Sequence, residues 1–201
     1  MSSIAPGPSP PLPLAIVPKR HADARGWFSE SFQQQRLRDL GIGCGFVQDN
    51  QSASSRKGTL RGFHFQGPPA AQAKLISVLH GRILDVAVDI RRGSPTFGKY
   101  VSAELSSADG KQLFVPAGFA HGFVTLEDEA SVLYKVSDYY APSCEGAIRW
   151  NDPDIAFPWP FKDADIIRSE KDDRAPPLKD LESPFPYDGH PLTELPVFNL
   201  S

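Results

Sequence analysis

The sequence predicts a mainly β protein, a sandwich, jelly roll or barrel with a few short helices. Short runs rich in Val, Ile, Phe and Tyr recur between Gly, Pro and Ser breaks. The run Arg82 to Ile90 alternates: Leu84, Val86, Val88 and Ile90 share one face of an extended chain, and Ile83, Asp85, Ala87 and Asp89 share the other. Helical patterning is confined to one early stretch, and no internal repeat is visible.

The elements follow in order. Residues 1–13, rich in Pro, Ser and Gly, read as a disordered tail. Order is expected to begin near Leu14 to Val17. A helix is expected over Ser31 to Leu40, closed by Gly41. Strands are expected over Lys74 to Leu79, Arg82 to Ile90, Lys99 to Ser106, Gln112 to Val115 and Ser131 to Tyr140. From Ala141 onward Pro and Asp become frequent, as in Asn151-Asp-Pro-Asp154, which predicts loops and short helices packed on the sheets. One domain over 14–180 and a loosely held, Pro-rich C-terminal extension over 181–201 complete the layout.

Composition narrows the function. At 201 residues with 40% apolar content, one sizeable core is available. A net charge of -3 argues against non-specific nucleic-acid binding, while leaving room for a local cationic cluster around a small anion. No apolar run is long enough to span a membrane, and the N-terminus lacks the pattern of a secretory signal. Cys44 and Cys144 lie far apart without a CxxC spacing, which fits a reducing compartment. The cytoplasm is the expected location.

Three segments carry candidate chemistry. In Gly58-Thr-Leu-Arg-Gly-Phe-His-Phe-Gln66, ideal alternation puts Leu60, Gly62, His64 and Gln66 on one face. A lone His there is more often a satisfied core residue, and Gln66 on the same face brings the catalytic reading level with it. In Pro116-Ala-Gly-Phe-Ala-His121 a turn delivers a second His into a new strand. In Ser131 to Tyr140, Val132, Tyr134, Val136 and Asp138 share an ideal face, and Tyr134 is either a core aromatic or a proton donor facing His64. The first two segments resemble the halves of the cupin signature. Metal cupins carry His-x-His in the first half; here the stretch is His64-Phe65-Gln66. A neutral amide is a poor transition-metal ligand, so the expectation is a cupin-type jelly-roll barrel that binds no metal.

The resemblance then becomes specific. Arg25-Gly-Trp-Phe-Ser-Glu30, Phe46-Val-Gln-Asp-Asn50, Leu60-Arg-Gly-Phe-His-Phe-Gln66, Gln72-Ala-Lys74, Arg92-Gly-Ser-Pro-Thr-Phe-Gly98, Pro116-Ala-Gly-Phe-Ala-His-Gly122 and Ser169-Glu-Lys-Asp172 resemble the dTDP-4-dehydrorhamnose 3,5-epimerase family. The similarity runs in order from about Val17 to Pro177. One departure is Phe63-His64-Phe65-Gln66, where the family commonly has Leu-His-Tyr-Gln.

The resemblance implies inversion at C3 and C5 of dTDP-4-dehydro-6-deoxy-D-glucose, without cofactor, in a homodimer. Each inversion removes a proton α to the C4 ketone and returns one to the opposite face. His64 is the implied base, with Asp172 as its orienting carboxylate and Asp85 as the rival. Tyr134 is the implied acid, and Lys74 sits by the C4 oxygen where an enolate develops. Arg25 and Arg61 match positions for the diphosphate. Glu30, Gln48, Asn50, His121, Glu145 and Lys171 match further substrate contacts. Strict alternation puts Arg61 and His64 on opposite faces unless Gly62 forms a bulge, and the sequence leaves both arrangements open. Three alternatives bracket this reading: a relative that inverts only one carbon, a metal-dependent cupin enzyme, and a sugar-nucleotide binder without catalysis.

Overall fold

The computed structural model describes residues 12–200. Most of the expected N-terminal tail lies outside the described residues. Thirteen strands and two short helices follow in order: β1 (Leu14–Val17), β2 (His21–Asp23), β3 (Gly26–Phe28), α1 (Gln34–Asp39), β4 (Gln48–Ser54), β5 (Leu60–Gln66), β6 (Lys74–His80), β7 (Arg82–Asp89), β8 (Tyr100–Ser106), β9 (Gln112–Val115), β10 (Phe119–Thr125), β11 (Ala130–Val136), β12 (Glu145–Ile148), α2 (Glu170–Arg174) and β13 (Val197–Asn199). A six-stranded sheet has the order β13-β1-β9-β6-β11-β4, and a five-stranded sheet the order β12-β5-β10-β7-β8. The hairpin β2–β3 stands apart as a two-stranded ribbon. The two large sheets form a jelly-roll barrel, one of the architectures that the patterning allows.

Both faces of β7 are buried, because the sheet has an apolar layer on each side. Ile83 and Ala87 join Ile76, Leu113, Phe123 and Val132 between the sheets. Val86, Val88 and Ile90 point outward and pack under Phe63, Ile148, Ile155 and Phe185. The outer layer on the six-stranded sheet comes from α1, where Leu37 meets Ile16, Leu75 and Phe114.

Several boundaries differ from expectation. The early helix begins only at Gln34, with the Gln33 side chain capping Arg36 N. The Ser31 carbonyl is instead held by Gln112 Nε2 at 2.8 Å, and Phe32 packs edge-on against Phe46. Gly41 closes the helix as expected, in the left-handed region at φ +84°. Strand β11 stops at Val136, because Ser137 turns aside to exchange hydrogen bonds with Ala73. Asp138 therefore does not continue the Tyr134 face. Residues 145–148, expected as loop, form β12 against β5. The C-terminal stretch makes attachments of its own: Asp188 accepts from Arg91 Nη1 at 2.9 Å, and β13 pairs in parallel with β1. Among the described residues, no helix is long and apolar enough to cross a membrane.

Candidate active site

One end of the space between the sheets is polar, and four neighbouring strands build it. β5 brings Arg61 and His64, β6 brings Lys74, β10 brings His121, and β11 brings Tyr134. All five side chains line one recess of about 60 Å³. An adjoining cavity of about 240 Å³ shares His64, Lys74 and Tyr134 and adds Gln48, Asn50, Gln66, Tyr140 and Glu145. A larger recess, about 490 Å³, lies elsewhere between Arg92, Phe97 and Leu181 to Ser183. It gathers no facing acid and base, so its volume says nothing about chemistry.

The parity problem on β5 is resolved by a bulge. His121 pairs with His64, but Phe123 pairs with Arg61, so β5 spends one more residue than β10 over the same span. The extra residue returns Arg61 to the face of His64. It also moves Leu60 off that face: Leu60 packs outside with Val124, Trp150 and Ile166. The Arg61 guanidinium has a buried Nε without a hydrogen-bond partner among the described residues.

Asp172 is the carboxylate beside His64. Its Oδ1 lies 2.7 Å from His64 Nε2 and accepts from Gly62 N at 3.0 Å. Its Oδ2 accepts from Ser169 Oγ at 2.7 Å, the residue that also caps α2. Burial works against the Asp172 charge, but the donors from His64, Ser169 and Gly62 outweigh it and hold the carboxyl below its usual range. An ionised carboxylate only accepts, so His64 Nε2–H donates to Asp172. Asp85 serves the other imidazole: its Oδ1 lies 2.5 Å from His121 Nε2, with Asp85 fully buried.

Lys74 donates to the His64 carbonyl at 3.1 Å. Desolvation lowers its pKa to about 8, against the opposing charges of Asp85 and Glu145. Burial raises the Tyr134 phenol above its ordinary value; the Arg61 charge opposes that and Glu145 adds to it. At neutral pH the cavity thus holds a protonated phenol and an ammonium beside His64.

A family model described as dTDP-4-dehydrorhamnose 3,5-epimerase matches residues 13–180. The chain belongs to that family. It is 48% identical over 172 residues to the dTDP-4-dehydrorhamnose 3,5-epimerase of Sinorhizobium fredii, covering 86% of this chain and 88% of the relative. The enzyme of that name from Salmonella typhimurium is 50% identical over 166 residues, 82% of this chain and 90% of its own. The crystal structure of dTDP-6-deoxy-D-glucose-3,5-epimerase from Legionella pneumophila, in complex with dTDP-4-keto-L-rhamnose, superposes with a TM-score of 0.83 at 43% identity, over 91% of this chain and 98% of that one. The fold is accordingly the cupin-type jelly roll of these epimerases.

The remaining residues that the family resemblance singles out divide into two groups. Gln48 and Asn50 sit at the cavity, joined by a 2.8 Å side-chain hydrogen bond. Glu145 bridges to Lys171 at 2.5 Å and accepts from Tyr140 Oη at 3.2 Å. Arg25 and Glu30 are not brought to the cavity of their own chain: Arg25 is exposed and pairs with Asp23, and Glu30 pairs with Arg36. Sequence reasoning missed three members of the arrangement. These are the backbone N–H of Gly62, Ser169 behind Asp172, and the attachment of Asp85 to His121. Only Ser169 left a signal, as the N-cap residue of the Ser-Glu-Lys-Asp run.

Gln66 is consumed structurally. Its amide donates to Ala70 O at 2.5 Å and Tyr139 O at 2.9 Å, and its Oε1 accepts from Ala141 N at 2.9 Å. Among the described residues, no group of three or more His, Cys, Asp or Glu is arranged to hold a metal.

Proposed function

We propose that this chain epimerises C3 and C5 of dTDP-4-dehydro-6-deoxy-D-glucose, giving dTDP-4-dehydro-L-rhamnose. The observation that carries the reading is the convergence of His64, backed by Asp172, with Lys74 and Tyr134 on one cavity. His64 removes the proton α to the C4 ketone, and Asp172 stabilises the imidazolium that forms. The Lys74 ammonium stabilises the enolate oxygen at C4. Tyr134 returns a proton to the opposite face of the same carbon. Base and acid reset by exchange with solvent before the second carbon reacts, so no redox change and no cofactor is required. Arg61, with a buried unpaired Nε, supplies charge for the diphosphate. His121, Gln48, Asn50, Glu145 and Lys171 complete the substrate contacts.

Arg25 and Glu30 enter this reading through a second copy of the chain. The β2–β3 ribbon is exposed along its length. In a homodimer it reaches the partner's cavity, delivering Arg25 from its turn and Glu30 from the segment just after β3. The spacing of the cysteines supports a reducing compartment, and we assign the enzyme to the cytoplasm.

The deciding experiment is incubation with the dTDP-4-keto-6-deoxysugar in heavy water, followed at C3 and C5, with a downstream reductase and NADPH reporting inverted product. Deuterium at both carbons with NADPH consumption is expected. Deuterium at a single carbon assigns a mono-epimerase, and none at either overturns the reading.

A further inference from the structure

We infer that Gly62 is a positioning residue for epimerisation, holding the Asp172 carboxylate against His64 through its backbone and through the space its missing side chain leaves. The inference rests on the epimerase reading. Two observations carry it. The bulge on β5 takes Gly62 out of regular pairing with β10, and its N–H turns instead onto Asp172 Oδ1 at 3.0 Å. A Cβ placed on Gly62 would stand 2.6 Å from that same Oδ1 and 3.2 Å from Cγ. The oxygen so held is the one that meets His64 Nε2.

These contacts fix one geometry. Asp172 comes from a five-residue helix far along the chain, and is the buried residue of that helix. Its Oδ2 is oriented locally by Ser169 on the same segment. Besides His64 itself, the Gly62 N–H ties the carboxylate to the strand that carries the base, two residues before His64. Any side chain at position 62 would meet the carboxylate with non-bonded atoms well inside contact distance. The bulge therefore sets two things together: it turns Arg61 toward the substrate and seats the base's orienting group. The residue between them has to be the one without a Cβ.

The test is a double-mutant cycle on kcat with the dTDP-4-keto-6-deoxysugar. Gly62→Ala is expected to lower kcat by ~10²-fold with KM little changed, as for a catalytic group misplaced by roughly 1 Å. Asp172→Ala lowers kcat by itself. Because Gly62 acts only through Asp172, the double variant should be no slower than Asp172→Ala alone. Wild-type kcat in Gly62→Ala, or losses that multiply in the double variant, would overturn the inference. Should Gly62→Ala not fold, folding regained in the double variant supports the inference equally, and continued failure overturns it. Wild-type protein runs alongside: if it does not turn over, the functional reading falls and this inference with it. If it does and Gly62→Ala matches it, only the inference falls.

Discussion

His64 and His121 stand opposite one another on the neighbouring strands β5 and β10, and each imidazole has a carboxylate of its own. Asp172 reaches the first at 2.7 Å and Asp85 the second at 2.5 Å. The two carboxylates should therefore separate kinetically. Asp172→Asn is expected to lower kcat by roughly 10²-fold or more, since the base loses the partner that fixes its tautomer. Asp85→Asn is expected to act mainly on KM and on stability, through His121. Steady-state kinetics of both variants checks this, and a larger kcat loss in Asp85→Asn would reverse the assignment.

Tyr134→Phe should uncouple exchange from inversion. The enolate still forms, because His64 and Lys74 remain, but a proton returns only to the face it left. Deuterium should enter recovered substrate while inverted product falls sharply. If the hydroxyl were only a core contact, its loss would act through stability alone, by about 1 kcal/mol, and both processes would decline together.

Activity should fall as pH rises through about 8, where the Lys74 ammonium loses its proton. The sign follows from the role: only the cation stabilises an enolate oxygen, so the alkaline side is the inactive one. A pH profile of kcat/KM measures this. A rate still level at about pH 10, the ordinary lysine range, would remove the Lys74 charge from the chemistry.

Chelators should leave activity unchanged. Gln66 stands where a metal cupin has a ligand, yet its amide is spent on Ala70, Tyr139 and Ala141. Recovery of a chelator-treated sample on adding iron or zinc would overturn this.

Sedimentation should show a dimer at micromolar concentration, and Arg25→Ala should raise KM without changing the fold. A fully active monomer would exclude a shared cavity.

How far the sequence could be read depended on where each side chain found its partner. β7 was legible as a strand because apolar layers cover both faces, so Ile83 and Val86 are both apolar for local reasons. β12 was not legible. Its Gly146 lies so close to β5 that a Cβ would stand 2.2 Å from the Phe65 ring, which excludes the branched residues that announce a strand. The facing of Arg61 was open because one inserted residue reverses parity, and nothing in Leu60 to Gln66 fixes where pairing shifts. Asp172 could be singled out by its family pattern, whereas the attachment of Asp85 to His121 depends on strands that meet only in the folded sheet.

The first strand of the barrel has no early partner. Leu14 pairs with Phe114, and Ala15 with Val197 near the end of the chain. Ile16 is nonetheless fully buried. During synthesis β1 emerges first and waits, apolar and unpaired, until most of the polypeptide has followed. Closing such long loops carries an entropic penalty before any contact repays it. Refolding should therefore be slow for a chain of this size, and the window in which β1 is open to aggregation should close only once β9 and β13 are both there to flank it.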